Sequence, residues 1–452
     1  MKKLIKGIAI AIVALIVLPI AAVLAINAFD ESLTPQAGSY GEPRAPAVPG
    51  TENGYYALLA LGAPEGADGI TYARAWLDES RAAAKGGRLE KRPRDQRAKR
   101  PIPCDAMQTS CLAALKANPD EVKTQLEAYR EDVARYETLI GFKRYEEVLD
   151  FPQRLSTAYP QYGAVTGAHR AYVLRAVIAA EQDNVEAAIA AIERDMAFQR
   201  VMMTGARTLL GKIIASVDYW RDLAFVSDLM QNRAKEVGPF LPRLREMLKS
   251  TEFPAAGQAA IVESEFALRK NLLRNPVASQ EIAGEPALVE KLATKFLYKP
   301  NATLNREVEH LAGIAAAMDL PVSEGSATLT QLMLDDVQMS FWHYVYNPAG
   351  NLLRRVAITD DGKEAYSRLR LHDVRAYARL VALQAEILAA RVEPDRIGAF
   401  VAASDPRFHD PYSGKPMAWD AGAKRLSVEV QSKVTKQRKL LNLDKGRVYA
   451  QL

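Results

Sequence analysis

The chain has 452 residues, 49% apolar and 25% charged, with a net charge of +5 and only two cysteines. This balance excludes a disordered chain and a cysteine-dense scaffold, and so small a net charge does not by itself support nucleic-acid binding. A chain of this length builds one large or two medium domains.

Residues 1–29 read as a cytoplasmic stub and a membrane anchor. Gly7 to Phe29 carry no charge, follow Lys2, Lys3 and Lys6, and precede Asp30 and Glu31. As a helix this run reaches about 35 Å, enough to cross a hydrocarbon core of about 30 Å. Lysines before the span and acids after it predict a single-pass signal anchor, with a cytoplasmic amino terminus and an exported, periplasmic bulk. A cleavable signal peptide ending near Val23-Leu24-Ala25 is the alternative, but the run exceeds the usual apolar core of roughly 7–15 residues. Residues 30–53 are rich in Pro, Gly, Ser and Ala without apolar periodicity, which predicts a flexible tether.

Residues 54–345 read as an α-helical domain. Helices are expected over Tyr55–Leu61 and Ile70–Ala84, followed by a basic loop at 81–103. Between Arg81 and Arg100 nine basic residues face only Glu90 and Asp95. Arg88, Lys91, Arg92, Arg94, Arg97, Lys99 and Arg100 are the candidates for an anionic surface, either lipid headgroups or an envelope polymer. Leu89 is the lone large apolar residue there, and Gly86-Gly87 and Pro93 interrupt any helix, so the bland reading is a solvated loop. Cys104 and Cys111 predict a disulfide in an oxidising compartment. No histidine lies near enough in sequence for a metal site, and a redox pair usually has two intervening residues.

Asn118-Pro119-Asp120-Glu121 is a helix start, with proline at the first position and acids at the positive end of the dipole. Val122, Leu126, Tyr129, Val133, Tyr136 and Leu139 then form one apolar face. Ala171–Glu181 and Val185–Met203 flank the turn Gln182-Asp183-Asn184. The alanines of this pair (Ala176, Ala179, Ala180, Ala187, Ala188, Ala190 and Ala191) allow close backbone approach, and the pair resembles one tetratricopeptide-type unit. Further helices are expected at about Leu209–Glu236, Pro242–Lys249, Gln258–Arg274, Pro286–Phe296, Asn305–Ala317 and Ser326–His343. The body is expected to be mainly α, solenoid- or bundle-like.

Residues 346–430 change character. A turn at Tyr346-Asn347-Pro348-Ala349-Gly350-Asn351 precedes a helix over about Tyr366–Arg391, with Leu369, Val374, Tyr377, Leu380, Leu383 and Ile387 on one side. Met417–Asp420 and Arg425–Val430 are expected to pair as a β-hairpin across Ala421-Gly422-Ala423. The run Asp410-Pro411-Tyr412-Ser413-Gly414-Lys415-Pro416 with this hairpin resembles the carboxyl end of pseudopilin-type proteins and of membrane-anchored bacterial envelope proteins. The resemblance covers about 25 residues, Asp405 to Val430. It implies the hairpin's shape and no activity, because the pseudopilin processing signature is missing from the amino terminus. Residues 431–452 read as a basic tail built on Lys433, Lys436, Arg438, Lys439, Lys445 and Arg447.

No motif assigns a catalytic residue, a metal ligand or a cofactor. His169, His310, His343, His372 and His409 stand apart and read as structural. His372-Asp373 and His409-Asp410 are neighbours whose side chains usually diverge. Ser413-Gly414-Lys415 lacks the other glycines and the preceding strand of a phosphate loop. Glu263-Ser264 is similar to the catalytic dipeptide of helical envelope transglycosylases, which makes Glu263 the suspect for a cell-wall hydrolase or lyase. The preferred expectation is a non-enzymatic envelope protein whose exported helical domain docks or scaffolds a protein partner. A lipid-contacting sensor using the basic loop is the third reading.

Overall fold

The computed structural model describes residues 2–84, 104–107, 110–152, 159–249, 258–274, 288–318, 320, 340–430, 447–452 and short pieces at 324–332. Within these, the side chains at 2–5, 7–13, 16, 258–259, 288–290, 293, 318 and 356–371 lie outside the description. The basic loop from Lys85 onwards, with Arg88, Lys91, Arg92, Arg94, Arg97, Lys99 and Arg100, also lies outside the described residues.

The fold is mainly α with a small carboxyl-terminal sheet. The helices are α1 (Lys2–Ile26), α2 (Pro35–Ser39), α3 (Gly54–Ala60), α4 (Gly69–Ala84), α5 (Cys111–Ala117), α6 (Pro119–Ala128) and α7 (Arg130–Leu139). They continue with α8 (Tyr162–Glu181), α9 (Val185–Gly205), α10 (Leu209–Asn232), α11 (Ala234–Val237), α12 (Leu241–Lys249) and α13 (Gln258–Arg274). The last are α14 (Leu288–Leu297), α15 (Pro300–Met318), α16 (Phe341–Val345), α17 (Pro348–Ala389) and α18 (Ile397–Ala402). Among the described residues no helix is long and apolar enough to cross a membrane, and the side chains of most of the first half of α1 fall outside that set.

Two cores organise the molecule. The larger is built on α8, α9 and α10, with α3, α4, α7 and the second half of α17 packed around them. Short side chains such as Ala176, Ala180 and Ala188 sit between α8 and α9 and let their backbones approach closely. Asn184 caps α9 by accepting from the Ala187 amide at 3.2 Å, and Asp183 adopts a φ of 59° in the tight turn before it. The smaller core joins α2, α13 and α15 through Ala37, Val262, Phe266, Leu304, Val308 and Leu311.

The segment at 30–53 departs from its expected role as a tether. Asp30 accepts from the amides of Asn301 and Ala302 at the start of α15, where carboxylates complement the helix dipole. The Thr34 amide donates to the Asn305 side chain, Lys270 reaches the carbonyls of Gly38 and Tyr40, and Arg44 pairs with Glu263. Glu146 then receives the amides of Ala47 and Val48. Composition suggested slack chain because these contacts are polar and come from distant residues.

Three other expectations change. The face from Val122 to Leu139 is split at Tyr129 (φ −106°, ψ 9°) into α6 and α7, although its residues remain on the core side. The helix expected from Tyr366 starts at Pro348, where Asn347 adopts φ 52° and accepts from the Gly350 amide. The end of the basic tail is a strand. β1 (Ala418–Asp420) and β2 (Arg425–Glu429) form the expected hairpin, with Trp419 opposite Leu426. β3 (Arg447–Gln451) adds a third antiparallel strand, with Val428 opposite Val448. Val448 and Ala450 point inward at alternate positions, as a half-buried strand requires. The Gln384 side chain on α17 donates to the Gln451 carbonyl, so the sheet packs onto the helical body.

Candidate functional site

The chemistry of this chain is concentrated where α7, α8, α9 and α10 meet. His169 on α8 is wholly buried, as are Asp195 on α9 and Asp222 on α10. The imidazole Nε2 lies 3.2 Å from Asp222 Oδ1 and 3.5 Å from Asp195 Oδ2, while Nδ1 faces Asp218 Oδ1 at 3.4 Å. One ligand atom from each of His169, Asp195 and Asp222 falls within 4.8 Å of the others. Asp195 Oδ1 is held in place by the Tyr136 hydroxyl at 2.8 Å and the Gln199 amide at 3.0 Å. That leaves Asp195 Oδ2, Asp222 Oδ2, His169 Nδ1 and Gln199 Oε1 buried without a hydrogen-bond partner. Unpartnered atoms of this kind carry a desolvation cost of about 1–3 kcal/mol each.

Charges are distributed unevenly around the cluster. Arg221 bonds Asp218 at 2.7 Å and Asp105 at 3.1 Å. Burial pushes the Asp105 carboxyl up, but the guanidinium of Arg221 and its hydrogen bond outweigh burial and hold it below the usual range. For Asp218 burial wins over Arg221 and raises the carboxyl to about 6. No lysine or arginine among the described residues pairs with Asp195 or Asp222. Burial, reinforced by the neighbouring carboxylates, raises both of them. Burial also drives His169 well below its ordinary value, with Arg221 and Arg170 adding to it, so the ring is neutral and a lone pair is available.

The cysteine pair frames this site. Cys104 and Cys111 stand at disulfide distance, with Cα atoms 5.4 Å apart, and both are buried. Asp105, next to Cys104, bonds Arg221, and Ser110 next to Cys111 donates to Asp228 on α10. Arg170 on α8 donates to the Cys104 carbonyl. The short loop is therefore pinned to both α8 and α10, directly over the ladder Asp105–Arg221–Asp218–His169.

The other sequence candidates resolve differently. Glu263 pairs with Arg44 at 2.9 Å on the flank of the smaller core. Asp373 accepts from the Tyr412 hydroxyl, and the His409 ring spans the carbonyls of Gly414 and Ser404 at 3.0 Å each. His343 Nδ1 accepts from the Ser340 amide in a capping box. Both ring nitrogens of His409 are therefore engaged by carbonyls and not by Asp410. Of the five histidines, His169 alone shares a described cluster with two unpaired carboxylates, and sequence reading missed it because its partners come from separate helices. The detectable signal was an aspartate on an otherwise apolar face: Asp195 lies between Ile192 and Met196, and Asp218 and Asp222 flank Tyr219 and Trp220.

No family model, curated protein or solved structure matches this chain.

Proposed function

We propose that the chain is a single-pass protein of the cytoplasmic membrane whose exported helical body acts as a docking or scaffolding module seated against the bilayer. The observation carrying this reading is the way the end of α1 is locked to an exposed aromatic ledge. Asn27, just past α1, donates to the Val345 carbonyl at 2.7 Å and accepts from the Asn347 amide at 2.8 Å. This joins α1 to α16, where Phe341 (75% exposed), Trp342 (64%) and Tyr344 (57%) face outward. Leu15, Val17, Leu18, Ile20, Leu24 and Phe29 are exposed on and just after α1 itself.

Large apolar groups in such number are unfavourable in water and favourable in a bilayer, and Trp and Tyr prefer its interface. The lysines before the apolar run support a cytoplasmic amino terminus. The close cysteine pair fits an oxidising compartment. The docking partner in this reading is another envelope protein, while the bilayer is the surface that orients the body towards it.

A reporter active only after export, fused to the carboxyl terminus, tests the topology. The proposal expects an active fusion that stays with the membrane through an alkaline wash. An inactive fusion, or one released by the wash, would contradict it.

A further inference from the structure

We propose that His169, Asp195 and Asp222 bind one divalent first-row transition ion, Zn²⁺ being the probe of choice, as a buried structural centre tying α8, α9 and α10 together. The inference does not depend on where in the cell the chain resides. Two buried carboxylates and an imidazole converge here, and no described lysine or arginine pairs with either carboxylate. A divalent cation matches a pair of carboxylates in charge.

The geometry suits a shared ion, which engages both carboxylates where one N–H reaches only one of them. The 3.2 Å contact of Nε2 with Asp222 Oδ1 is within hydrogen-bond range, whereas the 3.5 Å separation from Asp195 Oδ2 is long for an N–H···O bond. Both separations lie close to the edges of a tetrahedron around Zn²⁺, about 3.3–3.4 Å for ligand bonds near 2.0–2.1 Å. An ion held by Nε2, Asp222 Oδ1 and Asp195 Oδ2 would use the buried oxygen of Asp195 that has no hydrogen-bond partner.

The surroundings are those of a ligand set with outer partners. Asp218 Oδ1 stands 3.4 Å from Nδ1, on the side where a metal-bound imidazole directs its second N–H. Tyr136 and Gln199 fix Asp195 through the oxygen that faces away from the ring. One imidazole with two carboxylates suits Zn²⁺ and its borderline neighbours better than Ca²⁺ or Mg²⁺, which favour all-oxygen shells. Because all three residues are sealed from solvent, the ion enters during folding and native protein resists chelators.

Total metal analysis of the full-length protein, purified in detergent from cells grown with added Zn²⁺, tests the proposal. About one equivalent per chain is expected, with a loss of at least tenfold in His169→Gln and in Asp222→Asn and a smaller loss in Asp218→Asn. Less than a tenth of an equivalent in the wild type, or undiminished metal in the two ligand variants, would overturn it. If those variants do not accumulate, X-ray absorption on Co²⁺-loaded wild type decides. One imidazole with oxygen neighbours supports the site, and an all-oxygen or sulfur-containing shell refutes it.

Discussion

The body around α8, α9 and α10 and the smaller body around α13 and α15 are both helical and both bury polar groups, yet they put them to different use. The larger encloses them: His169, Asp195, Asp218, Asp222 and Arg221 are all sealed beneath apolar side chains. The smaller uses them at its junctions: the buried Asn305, Asn347 and Lys270, with Asp30 at the surface, satisfy helix ends and fasten the chain leaving α1, and Glu307 pairs inside it with Arg269 and Arg354. Enclosed polar groups make the fold specific and intolerant of change. Polar groups at the surface, such as Arg44 beside Glu263, work as clasps replaceable at small cost.

The sharpest break should come at Gly205, at the end of α9. A Cβ there would sit 1.7 Å from the Tyr145 carbonyl oxygen, displacing the strap that carries Glu147. Gly205→Ala is expected to cost at least about 3 kcal/mol, read as failure of the folded protein to accumulate or as loss of the main unfolding transition. Next comes Glu147→Gln. The Glu147 carboxylate accepts from Tyr162, the amides of Arg207 and Thr208 and the Thr208 hydroxyl, which fastens the start of α10. A carboxamide offers one oxygen to those four donors, so denaturant melts should show a loss of about 2–3 kcal/mol. Cys104→Ser should cost about 2 kcal/mol, as should reductant on the wild type, with no further effect of reductant on the variant.

Lys212→Met should act in the other direction. Burial lowers the Lys212 amine to about 8, against the pull of Glu147. Below that pH the folded state must bury a charge, a penalty relieved only as pH rises from about 8 towards the ordinary lysine value. The variant should therefore be more stable than wild type by about 1–2 kcal/mol at pH 7, with the gain shrinking between pH 8 and 10. The smallest effect is expected at the rim. Glu263→Gln breaks an ion pair whose Arg44 partner is mostly in water and should change stability by less than about 1 kcal/mol. A large loss there would show that even the exposed clasps bear on the fold.

The legibility of the sequence follows the same division. Local signals were readable: the Asn118-Pro119 start, the turn before Val185 and the hairpin across Ala421-Gly422-Ala423 each depend on neighbours in the chain. The first turns of α17 were not, because Asp360-Asp361-Gly362-Lys363-Glu364 carry no apolar stripe. β3 hid behind the basic residues preceding it. The clasps of segment 30–53 and the His169 cluster were invisible for one shared reason. Their partners are brought together only by tertiary packing, which no local motif encodes.

Bromolipid quenching of tryptophan in the reconstituted protein tests the membrane-seated account most directly. Of the four tryptophans, Trp76 and Trp220 are buried and Trp419 is half-buried, while Trp342 stands on the exposed ledge beside the end of α1. The account predicts quenching by lipids brominated near the headgroup, removed by Trp342→Phe. Emission indifferent to brominated lipid, with Trp342 open to a water-soluble quencher, would contradict it.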